Sequence, residues 1–148
     1  MALAALLLIL AACFDRLLKN FALLHQGLNI PLLGNWLQWQ PVVNPVGPLG
    51  LSLPDFLLPT ILGLLLGGLG LAIFSESQNL LRGFLILAAI GVVSNYTDRF
   101  NHGYIVDIFS FFSLAFNLAD IYIVVAIMGY LIWTVRQAGR LTILQNNS

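Results

Sequence analysis

Long apolar runs alternate with short polar segments along the chain, a pattern typical of a helical membrane protein. The runs predict four spans, at about residues 2–24, 56–74, 80–96 and 117–134. A helix needs about 20 residues to cross a hydrocarbon core of about 30 Å. Asp15 and Lys19 interrupt the first run, but they are four residues apart and can pair on one helix face. We predict an all-α membrane protein with four transmembrane helices, in which these two charges face other helices.

The segment 25–55 differs from the runs on either side of it. Its prolines interrupt helices, and Trp36 and Trp39 are residues that favour the membrane–water interface. The most turn-like part is 44–50, in which prolines alternate with glycines. We predict a small extracytoplasmic interfacial domain, rich in β-strands and turns, between the first and second helix. The whole chain, 1–148, then forms a single integral membrane domain.

The glycines of the second run are spaced three or four residues apart. This spacing predicts a stripe along which another helix packs closely. The stripe consists of Gly63, Gly67 and Gly70.

Composition supports the membrane assignment. The 148 residues are 59% hydrophobic and only 8% charged, whereas soluble domains carry about 25% charged residues. The formal net charge is zero and the basic residues form no run, so membrane lipid is a predicted partner and nucleic acid is not.

The single cysteine, Cys13, excludes an internal disulfide. The residues before it, Leu10-Ala11-Ala12, would also fit a lipoprotein signal peptide. No basic residue precedes the apolar run, which argues against that interpretation. A small buried side chain is the favoured interpretation of Cys13.

The basic residues bear on the orientation of the chain in the membrane. Four spans put both termini on one side, which the positive-inside rule makes cytoplasmic if it carries the basic excess. The two sides carry Arg82, Arg136 and Arg140 against Arg16, Lys19 and Arg99. Arg16, Lys19 and Arg99 each have an aspartate nearby. We therefore predict that these three residues pair with aspartates in a site on the extracytoplasmic side.

Acidic residues are concentrated between the third and fourth runs. Asp98, Asp107 and Asp120 are three of the six acidic residues in the chain. An acidic residue at membrane depth costs roughly 2.5–3.5 kcal/mol and commonly marks a functional site. The predicted topology brings these residues to the same membrane face as Asp15, while Glu76 lies at the other.

Paired carboxylates can hydrolyse a peptide bond without a metal. Two that lie close together do not both ionise readily, so the charged one can activate water while the neutral one protonates a leaving amine. The alternative is a non-catalytic membrane scaffold or transporter subunit, in which the acids form structural ion pairs. His25 and His102 lack the spacing of metal ligands, so we predict neither a metal nor another cofactor.

Four motifs, in chain order, resemble those of the lipoprotein signal peptidase (signal peptidase II) family. The family patterns are Asp-x-x-x-Lys, Asn-x-x-Asp-Arg, Gly-x-Val-Val-Asp and Phe-Asn-x-Ala-Asp. The matching segments are 15–19, 95–99, 103–107 and 116–120.

The resemblance implies an intramembrane aspartic endopeptidase whose catalytic pair is Asp107 and Asp120. It implies that the pocket is shaped by Asn95, Asp98, Arg99 and Asn117, with support from Asp15 and Lys19. Asn44 matches an asparagine of the family's outer loop, near the lipid-modified cysteine of the substrate.

The resemblance also implies a substrate and a location. The expected substrate is a prolipoprotein, cut just before a diacylglyceryl-cysteine in the bacterial cytoplasmic (inner) membrane, with the active site toward the extracytoplasmic side. The antibiotic globomycin is the expected inhibitor. An inactive relative that still binds lipidated peptides is a further alternative.

The chain departs from the family pattern in several places. Asn44 is followed by Pro45-Val46-Gly47-Pro48 where the family usually has Gly-Ala-Ala-Phe-like residues. Ser94 stands where glycine is common, and Gly91 alone remains of a paired glycine. The link from Asp107 to Asp120 is also shorter than in many members. We expect these differences to affect substrate preference more than chemistry.

Overall fold

The computed structural model describes residues 2–45 and 56–146, with side chains at 6–45 and 56–139. Four helices and one small sheet make up this part of the chain. In order they are α1 (Ala2–Leu24), β1 (Ile30–Leu33), β2 (Leu37–Asn44), α2 (Leu57–Ser75), α3 (Asn79–His102), β3 (Ile105–Phe111), β4 (Leu114–Phe116) and α4 (Leu118–Asn146). The predicted turn at 44–50 lies largely outside the described residues.

Three of the described helices are long and apolar enough to cross a membrane. They are Leu57–Ser75, Asn79–His102 and Leu118–Gly139. Helix α1 has a suitable length, 23 residues, but carries Asp15, Arg16 and Lys19. Its status as the fourth span therefore stays a prediction that composition alone does not decide.

Helix α3 continues to His102, beyond the end we predicted at residue 96. It ends at Gly103, whose φ of 76° lies in the left-handed region and whose N–H donates to the carbonyl oxygen of Arg99 at 2.9 Å. Glycine adopts this conformation without a steric penalty and is the usual residue just after a helix. The polar motif 95–99 thus lies within α3 rather than at its end.

The sheet is antiparallel, with the order β1-β2-β3-β4. Strands β1 and β2 come from the insert in which we predicted strands, whereas β3 and β4 come from the segment we had treated as a link. Val42 lies opposite Asp107 in the β2–β3 pair. Asn44 is two residues from Val42, so its side chain lies on the same face as Asp107.

Polar side chains are buried in this fold while many large apolar ones are exposed. Asp15, Lys19 and Asp98 are each 1% exposed, whereas Phe74 is 88% exposed. This inversion suits a protein whose helices face lipid, because the ions can be satisfied only inside the protein. Our prediction that Cys13 is buried is wrong: the thiol lies on the exposed surface of α1.

A close approach of two helices near the buried polar groups depends on Gly91 of α3. A Cβ atom there would lie 2.5 Å from the carbonyl oxygen of Ala119 and 2.7 Å from Cγ1 of Ile123, both in α4. The glycine stripe predicted on α2 does not serve this purpose. A Cβ at Gly67 or Gly70 would meet nothing within 4 Å.

Replacing Gly91 with alanine should push the start of α4 away from α3. Overpacking of this kind costs about 1–3 kcal/mol, so we expect a lower thermal unfolding midpoint in detergent. Gly67→Ala is the matched control, because its added methyl group has open space. Equal midpoints for the two variants would show that the approach at Gly91 is not tight.

Candidate active site

The motif Phe116–Asp120 forms the beginning of α4. Asn117 precedes the first helical residue, and its Oδ1 accepts a hydrogen bond from the backbone N–H of Asp120 at 3.1 Å. In return, Oδ2 of Asp120 accepts from the backbone N–H of Asn117 at 3.0 Å. This reciprocal pair is a capping box, and it holds the Asp120 carboxylate at the positive end of the helix.

Asp107 lies on β3, 3% exposed, with both carboxylate oxygens occupied. Its Oδ2 accepts from Nδ2 of Asn44 at 3.0 Å, and its Oδ1 accepts from Nδ2 of Asn117 at 3.0 Å. The capping box uses Oδ1 of Asn117, which leaves the amide nitrogen to face Asp107. Asn117 therefore contacts both aspartates that we predicted as the catalytic pair.

Asn95 of α3 contacts the second aspartate from the other side. Its Nδ2 donates to Oδ1 of Asp120 at 2.8 Å, while its Oδ1 accepts from Nζ of Lys19 at 3.0 Å. A side chain of α1 is thus linked to Asp120 through one intervening amide.

Asp107 and Asp120 line a common cavity of about 500 Å³. Asn44 and Asn95 also reach this cavity, so its polar groups are the two carboxylates and their amide partners. The other lining is mainly apolar and includes side chains from the membrane-length helices α2 and α4: Leu58, Leu62, Ile123 and Val124. The cavity therefore combines a pair of acids with walls that favour an apolar ligand.

Burial raises the pKa of Asp107 above its ordinary value, because a charged carboxylate loses solvation there. The hydrogen bond from Asn44 lowers this pKa, the neighbouring charge of Asp120 raises it, and Asn117 and Lys19 lower it in turn. The net pKa is raised, so Asp107 keeps its proton to a higher pH than an ordinary aspartate does.

The remaining acids of the predicted site form a buried ion cluster beside the cavity. Nζ of Lys19 lies 2.7 Å from Oδ2 of Asp98 and 3.3 Å from Oδ2 of Asp15, which confirms the predicted pairing of Asp15 with Lys19. Nη1 of Arg16 binds Oδ1 of Asp98 at 2.5 Å. Asp98 thus joins α3 to α1.

Asp15 also ties α1 to the start of α4. Its Oδ1 accepts from the backbone N–H of Ala119 at 3.0 Å, and its Oδ2 accepts from the hydroxyl of Ser94. The same hydroxyl accepts from Nζ of Lys19 at 2.9 Å. The sequence marked Ser94 only as a departure from the family pattern. Its place directly before Asn95 was the signal that it lies beside the site.

We predicted that an aspartate pairs with Arg99, and the structure shows other partners. Its Nη1 donates instead to the carbonyl oxygens of Pro45 at 2.8 Å and Gly103 at 2.5 Å, and to that of Asn44 at 3.5 Å. Arg99 therefore holds the end of β2, which carries Asn44, against the end of α3.

Membrane-length helices beside a cavity lined by two aspartates, one on β3 and one at the start of α4, are the features of a membrane aspartic peptidase. The chain belongs to the signal peptidase (SPase) II family, whose sequence model matches residues 7–136. This is a family of aspartic peptidases. The protein is therefore an aspartic endopeptidase that acts as a lipoprotein signal peptidase, with a lipoprotein substrate. The scaffold alternative is not favoured.

Solved structures share the fold. A bacterial membrane enzyme determined by the in meso method at 2.3 Å resolution aligns with a TM-score of 0.84 and 18% identity, over 95% of this chain and 92% of that chain. A second, at 1.9 Å resolution, aligns with a TM-score of 0.79 and 18% identity, over 90% of this chain and 93% of that chain. No curated protein sequence matches the chain.

Replacing Asn44 with alanine should raise the pKa of Asp107 further. The hydrogen bond from Asn44 stabilises the charged carboxylate, so its loss favours the protonated form and moves the titration to higher pH. The measurement is a pH titration of the Asp107 carboxyl carbon by NMR, assigned through its absence in Asp107→Asn. Gln38→Ala on the same strand is the control, and a titration moved to lower pH by Asn44→Ala would contradict the assignment.

Proposed function

We propose that Asp107 and Asp120 are the catalytic pair of this peptidase. The observation that carries the proposal is that both acids line one cavity and contact a single asparagine, Asn117. Asp120 accepts a backbone N–H at a helix start and the amide of Asn95, contacts that favour a charged carboxylate. Asp107 also accepts two amide N–H groups, but these come from side chains and not from a helix start. It is 3% exposed, whereas Asp120 is only partly buried, so loss of solvation favours the neutral form more at Asp107. Asp120 is then the base and Asp107 the acid.

The reaction on this assignment is a two-stage hydrolysis. Asp120 takes a proton from water, the water oxygen bonds to the scissile carbonyl carbon, and Asp107 gives its proton to the carbonyl oxygen. The carbon–nitrogen bond then breaks. The proton on Asp120 passes to the leaving amine, and Asp107 recovers a proton from the hydroxyl of the intermediate. One water is consumed, and both acids return to their starting states.

The proposed substrate is a prolipoprotein cut just before its diacylglyceryl-cysteine. The apolar walls from α2 and α4 suit acyl chains and an apolar signal segment. Asn44, whose position matches the family's outer loop, would lie near the modified cysteine. The proposed supporting residues are Asn95, Asp98, Arg99, Asn117, Asp15 and Lys19. A globomycin-like cyclic peptide would compete for the same cavity.

We further propose that α1 is a fourth span and that the site opens on the extracytoplasmic side of a bacterial cytoplasmic membrane. The ionic groups of Asp15, Arg16 and Lys19 have buried partners, which removes much of the cost of placing them in a membrane helix. Arg82 lies in the first turn of α3 and Arg136 in the second half of α4, in each case away from the aspartate end of the helix, as the positive-inside rule favours for the cytoplasmic side.

Asparagine at either catalytic position should abolish cleavage of a diacylglyceryl-modified prolipoprotein. Loss of a positioned acid or base lowers the rate by about 10²–10⁴-fold, and these two act together, so Asp107→Asn and Asp120→Asn should each lose at least about 10²-fold. The assay measures release of the signal peptide in detergent micelles.

Glu76→Gln, at the far end of α2, is the control and should keep its activity. Full activity in either aspartate variant would eliminate the proposed pair. A wild-type protein that binds globomycin and never cleaves would instead be an inactive relative. Inhibition by a chelator would favour a metal mechanism.

The turns at one end of the sheet, which carry Trp36 and Phe112, should contact lipid. Trp36 stacks on Phe112 with ring centroids 6.0 Å apart, and both are 66% exposed. The only charged residue in the four described strands is the buried Asp107. In a variant that keeps only Trp36 of the tryptophans, lipids brominated near the headgroup should quench its fluorescence more than lipids brominated at the chain end. Trp36 quenched only by a water-soluble agent would place the sheet away from the membrane.

A further inference from the structure

The orientation of the Asn95 side-chain amide decides whether Asp120 faces a hydrogen-bond donor or an acceptor. An asparagine side chain presents a donor at one end and an acceptor of nearly the same shape at the other. In the observed orientation, Nδ2 donates to Oδ1 of Asp120 at 2.8 Å. The opposite orientation would aim the carbonyl oxygen at this carboxylate and replace an attraction with a repulsion. A catalytic carboxylate in this position needs the amide held one way.

Lys19 can hold the amide because an ammonium group only donates hydrogen bonds. Its Nζ lies 3.0 Å from Oδ1 of Asn95, so the acceptor end of the amide is fixed on the side away from Asp120. The ammonium is itself fixed. Asp98 lies at 2.7 Å, the hydroxyl of Ser94 at 2.9 Å and Asp15 at 3.3 Å, and Lys19 is 1% exposed.

We infer that Lys19 is a positioning residue that fixes the side-chain amide of Asn95 with its N–H aimed at Asp120. Lys19 does not line the cavity, and among the described residues its hydrogen bond to Asn95 is its one polar contact with a residue that does. Its charge also acts on Asp107 at longer range. The inference rests on the proposed catalytic role of Asp120, and it assigns to Lys19 a task that differs from holding helices together.

Arg16 supplies a comparison in the same cluster. It is also a cation of α1 bound to Asp98, at 2.5 Å. Its other hydrogen bonds go to the hydroxyl and the carbonyl oxygen of Ser94, both at 3.3 Å, and none goes to Asn95. If the cluster serves only to join α1 to α3, loss of either cation should lower stability, more for Lys19 because its side chain is 1% exposed and that of Arg16 is 35% exposed, and neither loss should change kcat of the folded enzyme. If Lys19 orients the amide, only its loss should affect the chemical step.

The test is a double-mutant cycle on prolipoprotein cleavage with Lys19→Met and Asn95→Ala. A hydrogen bond to a charged group is worth about 1.5–3 kcal/mol, so each single variant should lower kcat by about 10- to 100-fold with KM nearly unchanged. The double variant should be little slower than Asn95→Ala alone, because Lys19 then has no amide left to orient and only its longer-range charge is lost. Arg16→Met should keep a kcat close to that of the unaltered protein.

Losses that multiply in the double variant would overturn the inference, since Lys19 would then act independently of Asn95. An equal loss of kcat in Arg16→Met would overturn it too. Lys19→Met removes the cation that pairs with buried Asp15 and one of the two that pair with buried Asp98, and can prevent folding. The same comparison is therefore made in an Asp98→Asn background, where one of those negative charges is already gone.

A readout that does not need activity separates this inference from the proposed function. The side-chain ¹⁵N resonance of Asn95, assigned by its absence in Asn95→Ala, should move or broaden in Lys19→Met and stay in place in Arg16→Met. A moved resonance with unchanged kcat would overturn the inference, because the orientation of the amide would then have no effect on the chemical step, and it would leave the catalytic role of Asp120 to the Asp120→Asn assay. An unmoved resonance would refute the positioning role itself.

Discussion

The burial of ions by α1 and α3 is the constraint on which the rest of the structure depends. Asp15, Lys19 and Asp98 are almost completely removed from solvent, and a lone ion in such a place costs several kcal/mol. Each is therefore tolerated only with its partners in contact. This fixes the depth and rotation of α1 against α3, and Asp15 extends the constraint to the first turn of α4 through Ala119. These contacts therefore also fix the positions of α3 and α4, which contribute Asn95 and Asp120 to the cavity.

The helices and the parts of the site that depend on short-range spacing could be predicted from the sequence. The apolar runs gave the three membrane-length helices, and a four-residue interval was enough to pair Asp15 with Lys19. The choice of glycine at a close contact could not be predicted in this way. Spacing shows which glycines share a helix face, but only the packing of two helices shows that Gly91 has a neighbour and Gly67 has none.

The sheet and the partners of Arg99 were beyond a sequence argument for a related reason. Strand β2 pairs with β3 across more than 60 residues of chain, and nothing in the local pattern of either segment specifies the other. Backbone carbonyl groups occur at every residue, so the sequence carries no sign that Arg99 would bind them instead of an aspartate. Gly103 is visible in the sequence, and a prediction that α3 ends at this glycine would have been correct.

On the proposed catalytic assignment, the capping box at Asn117 and Asp120 leaves the Asp120 side chain with two separate roles. Asp120 closes the first turn of α4 whether or not any peptide is cut, so selection for a well-formed helix start alone is enough to retain it. A descendant that had lost its turnover could keep this aspartate for architecture. Its presence in a distant relative is therefore weak grounds for inferring activity, and the strand aspartate, which caps no helix, is the more informative of the two.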